Sequence, residues 1–151
     1  MRIRHAGFTL IEMMVVVAVV AILATIAAPG MTNIMAAAQV NAAQENLMQM
    51  LRKARSLSLG RGTAATMAIS AANRQAVLSL MDGSAVNGTN TTETLNFPNV
   101  QATNATYRFN PGGTAQQTVG AGPIVLTSAV SSSATPARTI TVSAAGQVTV
   151  Y

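Results

Sequence analysis

Four acidic side chains occur in the 151 residues, Glu12, Glu45, Asp82 and Glu93, and the one histidine, His5, precedes them all. There is no cysteine. From Phe8 onward no His or Cys can activate a serine, and no two acids stand close enough in sequence to indicate a general acid and base. Calcium takes several oxygen ligands, commonly carboxylates, whereas beyond Gly60 the acids are Asp82 and Glu93 alone. No catalytic residue, metal ligand or cofactor is expected. The composition argues against an enzyme.

One acid is informative through its position. Glu12 is the only ionisable side chain in the 21 residues from Phe8 to Ala28. At about 1.5 Å per helical residue this run covers roughly 30 Å, the thickness of a bilayer's hydrocarbon core. A carboxylate inside such a segment is costly unless paired, and so marks a function. Arg2, Arg4 and His5 precede the run. Cations on that short flank predict a cytoplasmic N-terminus, with the remainder crossing the membrane.

Three readings compete for this N-terminus. A secretory signal would be cut behind the apolar run, near Ala27-Ala28. A plain anchor would not be cut. A leader cut between Gly7 and Phe8 would leave the run on the mature protein, and glycine at that point lets a protease approach the backbone closely. Glu12 discriminates, because signals and anchors seldom carry an acid so early in the apolar block.

Gly7-Phe8-Thr9-Leu10-Ile11-Glu12 resembles the processing and assembly signature of type IV prepilins and type II secretion pseudopilins. The resemblance implies cleavage after Gly7 by a prepilin peptidase and N-methylation of Phe8. It also implies assembly with other pilin or pseudopilin subunits through Phe8 and Glu12. The new amine of Phe8 lies one helical turn from Glu12; in this family the proposed partner of the carboxylate is the amine of a neighbouring subunit. Such a protein sits in inner-membrane lipid as a single-pass bacterial protein with its C-terminal domain in the periplasm, then enters a pilus or pseudopilus. Pro29-Gly30 closes the run, and proline inside a helix removes a hydrogen bond and kinks it. The stretch is either simply a kink at the membrane surface or, by resemblance, a segment that can extend or melt when subunits pack into a filament.

The elements that position these residues follow in order. The division expected is a leader at 1–7, a transmembrane and assembly helix at 8–29, its amphipathic half at 30–60 and a β-rich domain at 61–151. Met31 to Leu59 lacks Pro and Gly, and Val40, Leu47, Leu51, Ala54 and Leu57 share one helical face. Asn41, Gln44, Glu45, Gln49 and Arg52 lie off it. Met48 and Met50 read as packing residues. Gly60 and Gly62 supply the stop.

After Gly62 the pattern changes to short strands between turns. Ala64–Ser70 and Ala76–Met81 read as a hairpin, and 82–94 as an exposed loop. Further strands are expected at Thr106–Phe109, Ile124–Leu126, Thr139–Ser143 and Gln147–Tyr151, with Ser128–Pro136 a Ser-rich loop. The fold class is therefore α+β: a long N-terminal helix packed on a small antiparallel β-rich domain. With 3% aromatics and no Trp, its core must be built from Ala, Val, Leu, Ile and Met.

A narrower resemblance attaches to Leu51-Arg52-Lys53-Ala54-Arg55-Ser56 with Gly60-Arg61-Gly62, to Phe109-x-Pro111-x-Gly113, and to the closing Ile140 to Val148 with Gly146. These resemble the FimT/GspH type of minor pilin or pseudopilin. The group includes DNA-uptake subunits, so a DNA-binding minor pilin is the alternative function. The C-terminal Gly-Arg-x-Arg of those subunits falls here on Gly146-Gln147-Val148-Thr149, which lacks both arginines. Arg52, Lys53, Arg55 and Arg61 form the main basic cluster. They complement a helix C-terminus, or as the sharper alternative contact DNA phosphates. The formal charge of +5 reflects scarce acids rather than a basic stripe.

Overall fold

A computed structural model describes residues 8–130 and 136–151, with residues 27–30 placed in a helix whose side chains at those four positions are not described. Gly7, and most of the Ser-rich loop expected at Ser128–Pro136, lie outside the described residues. Among the described residues one helix, α1 (Leu10–Arg61), precedes nine strands. They are β1 (Ala65–Ser70), β2 (Gln75–Leu80), β3 (Thr92–Asn96), β4 (Val100–Ala102) and β5 (Ala105–Phe109), then β6 (Ala115–Val119), β7 (Ile124–Ser128), β8 (Arg138–Val142) and β9 (Val148–Val150). The long helix packs on antiparallel sheets, which makes the chain an α+β protein of the pilin-like type.

Thr9 caps the helix at its start, and Gly62 ends it with φ +64°, the left-handed conformation usual just past a helix. Gly60, expected to share in the stop, lies inside the helix two residues before Gly62. Within the domain-facing half, Ala36, Val40, Ala43, Leu47, Met50, Leu51 and Ala54 are buried. These recur at spacings of three and four, so a single stripe meets the sheets. Leu57, the last residue of the expected stripe, is only partly buried. The buried position one residue on is a serine, Ser58.

The strands form a five-stranded sheet ordered β3-β2-β1-β5-β6 and a four-stranded sheet ordered β4-β7-β8-β9, with every pairing antiparallel. The expected hairpin is present, with Ser70 opposite Gln75 and Arg74 in its turn at φ +50°. Burial alternates along β1, β2 and β5, as a sheet with one face on a helix requires. Met67, Leu78, Ile124, Leu126 and Ile140 meet Leu47 and Leu51 in one core. Phe97, Tyr107 and Phe109 join them, so the core is not limited to the aliphatic residues and methionine expected from the low aromatic content. Three strands went unread in the sequence: β3, which begins within the expected loop 82–94 and runs on to Asn96, with β4 and β6.

Candidate assembly site

The N-terminal arm carries its apolar residues on every side. Phe8, Leu10, Ile11, Met14, Val17, Ile22 and Ile26 are all exposed, Phe8 at 80%. A helix apolar all round is stable only where something other than water surrounds it. Among the described residues no single helix is long and apolar enough to cross a membrane. By length and composition, the arms Leu10–Ile26 and Met31–Arg61 together could, and they are inclined by 42°. Pro29, expected to act in assembly, falls between them, where side chains are not described.

Glu12 sits on the same face as Phe8, in a shallow groove lined by Phe8, Ile11, Val15 and Val16. Its carboxylate is folded back onto the start of the helix. Glu12 Oε2 accepts from the backbone N–H of Thr9 at 2.9 Å and from the Thr9 hydroxyl at 2.8 Å. Thr9 Oγ1 in turn accepts from the Glu12 N–H at 3.3 Å. This reciprocal capping box satisfies two otherwise orphaned groups, and the carboxylate also faces the positive end of the helix dipole. Sequence reasoning passed over Thr9, although Thr-x-x-Glu ahead of an apolar run is the signal for it. Both contacts use Oε2. Oε1 has no partner among the described residues.

The basic cluster divides. Lys53 pairs with Glu93 of β3. Arg61 turns to the loop before β3, donating to Ser84 Oγ at 3.3 Å and to the carbonyl of Ala85. Arg52 and Arg55 alone share a groove, with Ser56, Leu59, Gly146 and Gln147. Of the remaining domain arginines, Arg74 donates to the Pro98 carbonyl at 2.5 Å and Arg138 to Asn41 Oδ1 at 3.0 Å, while Arg108 of β5 keeps a buried Nε with no hydrogen-bond partner among the described residues.

The separated stretches that carry the narrower resemblance do meet. A Cβ on Gly113 would stand 3.3 Å from Leu59 Cδ2 and 3.9 Å from Arg55 Nη2. A Cβ on Gly146 would stand 2.4 Å from the Gly113 carbonyl oxygen. Ala115 N–H donates to Ala144 O at 2.9 Å, which ties the first sheet to the turn between β8 and β9. Ser58, fully buried, donates toward the carbonyls of Arg55 at 2.8 Å and Asn110 at 3.3 Å. The sequence offered no sign of that hydroxyl's place in the core.

Residues 2–28 match the family model described as the prokaryotic N-terminal methylation motif. The match supports a pilin- or pseudopilin-type structural subunit rather than an enzyme, one processed by a prepilin peptidase and anchored through its N-terminal helix. No curated protein and no solved structure matches the chain.

Proposed function

We propose that the chain is a minor pilin or pseudopilin that initiates or caps a type IV pilus or a type II secretion pseudopilus. The leader is removed between Gly7 and Phe8, Phe8 is N-methylated, and the apolar arm joins a bundle with those of neighbouring subunits. The observation that carries this reading is the fully exposed apolar arm with Glu12 as its single charge, inside the matched methylation motif.

Before assembly, Thr9 holds the carboxylate through Oε2. Within a filament, Oε1 accepts from the methylated amine of a neighbouring Phe8, and the pair neutralises charge inside the bundle. Removing one partner of a buried pair leaves the other uncompensated, at a cost of about 3–5 kcal/mol. The junction of Arg55, Gly113 and Gly146 supports the FimT/GspH type within this class. The N-terminus lies in the cytoplasm and the β-rich domain in the periplasm. A neighbouring set of secretion genes would favour the pseudopilus over the pilus.

Mass spectrometry of the membrane-extracted protein tests the processing: the mature chain should begin at N-methylated Phe8. Expressed at native level, Glu12→Ala should be processed normally yet be missing from sheared filaments. A mature chain beginning elsewhere, or normal incorporation of Glu12→Ala, defeats the reading.

A further inference from the structure

The end of α1 and the last strand enclose an open groove of about 690 Å³, lined among others by Arg52, Arg55, Ser56, Leu59, Gln147 and Val148. Its charges are two guanidinium groups, and no acid lines it. Arg55 Nε is buried with no hydrogen-bond partner, and the exposed Arg52 has no ion pair among the described residues. The domain's own acids are engaged elsewhere. Glu93 pairs with Lys53, and the Asp82 carboxylate accepts the Ser84 N–H at 2.9 Å.

The groove adjoins an unpaired strand edge. Thr139 and Tyr151 exchange both backbone hydrogen bonds, at 3.1 and 2.9 Å, and the β8–β9 register runs without a shift. Antiparallel ladders alternate, so Thr149 also faces β8, while the N–H and C=O of Val148 and Val150 point away from it. β9 ends its sheet, and Gln147 to Tyr151 contains no charged side chain and no Pro. Native edges are usually blunted by charge, Pro or a covering element. This one is bare.

We propose that the groove takes an extended acidic peptide segment of a partner protein. The segment adds to the free edge of β9 as a further strand and sets one carboxylate against Arg52 and Arg55. Main-chain hydrogen bonds supply affinity in this mode and side-chain pockets supply selectivity. Arginine suits a carboxylate through its planar fork of donors. A nucleic-acid strand fits less well. Its phosphates need a track of cations, whereas Lys53 and Arg61 turn to other partners, and its backbone cannot match a peptide ladder. The inference does not depend on filament assembly.

The test uses the full chain in detergent micelles and a fluorescein-labelled hexapeptide, VTEVTV, followed by anisotropy. Saturable binding is expected, weakened about tenfold or more when the peptide's Glu is replaced by Gln. Arg52→Gln should weaken the Glu peptide similarly and leave the Gln peptide unchanged. Val150→Pro should abolish binding, because it removes an N–H on the free edge and none used in the ladder. A peptide N-methylated at alternate residues should fail on the unaltered protein, so the conclusion does not hang on how the proline variant folds. No binding up to about 1 mM, equal binding of the Glu and Gln peptides, retained binding of the N-methylated peptide, or displacement of the peptide by an oligothymidylate would each overturn the proposal.

Discussion

Arg55 lies directly over Gly146: a Cβ on that glycine would stand 3.0 Å from Arg55 Nε as well as 2.4 Å from the Gly113 carbonyl oxygen. Gly146 also has φ +70°, where a side chain is strained by roughly 1–2 kcal/mol. Gly146→Ala therefore combines backbone strain with an overlap that only movement of a turn can relieve. Gly62, at φ +64° with nothing within 4 Å, supplies the comparison, since an alanine there meets the strain alone. Urea unfolding of the full chain in micelles should show a larger stability loss for Gly146→Ala than for Gly62→Ala. Equal losses would mean that the turns part freely and that the junction is not tight.

The Lys53–Glu93 pair joins residues 40 positions apart and is partly open to solvent, the side chains retaining 40% and 32% exposure. Exposed pairs of this kind contribute about 0.2–1 kcal/mol. A double-mutant cycle of Lys53→Met and Glu93→Gln should return a coupling energy in that range, reduced by added salt as screening predicts. A coupling several times larger would show that the pair is shielded from water and fixes β3 against the helix.

That pair also bears on how much of the fold the sequence made legible. The helical stripe from Val40 to Ala54 was readable because burial imposes a strict spacing, and the central strands alternate for the same reason. The three strands that were not read are all edge strands: β3 and β6 bound the first sheet and β4 bounds the second. Thr92-Glu93-Thr94-Leu95-Asn96 and Ala115-Gln116-Gln117-Thr118-Val119 have little burial to record in side-chain type. β4, at three residues, is too short to display a period. At the candidate site, Glu12 stood out through its charge alone. Its bond to Thr9 is a local pattern that was available and overlooked, whereas the meeting of Arg55 with Gly146 depends on tertiary packing.

Tyr107 gives the fold a pH dependence at its alkaline end. Burial raises its phenol above the ordinary value of 10.0, because a phenolate there would lose its hydration. The folded chain thus holds this proton more tightly than the unfolded chain does. The associated stability is present below pH about 10 and is lost as pH rises from there through the raised folded value. Tyr107→Phe removes the titration, at the cost of the hydroxyl's 3.3 Å hydrogen bond to Gly122 O. Urea midpoints measured between pH about 8 and 11 should fall for the native chain and stay flatter for Tyr107→Phe. Parallel curves would assign the alkaline loss to other groups.

At the other end of the molecule, the capping box allows the observed capping by the Glu12 carboxylate to be separated from its proposed pairing with a neighbouring amine. Thr9→Ala removes the hydroxyl that accepts from Glu12 N–H and donates to Oε2, whereas Thr9→Ser keeps it. Loss of such a cap costs about 1 kcal/mol, felt within the first turn. Amide exchange in micelles should therefore quicken at Glu12 in Thr9→Ala, remain near native in Thr9→Ser, and be unchanged at Leu47 in both. Filament incorporation then distinguishes capping from pairing. Thr9→Ala still presents a carboxylate to a neighbouring amine and should assemble close to the native level, whereas Glu12→Ala should not. If both variants fail alike after normal processing, the carboxylate acts in assembly through the cap that shapes the helix start, and not through a bond to the next subunit.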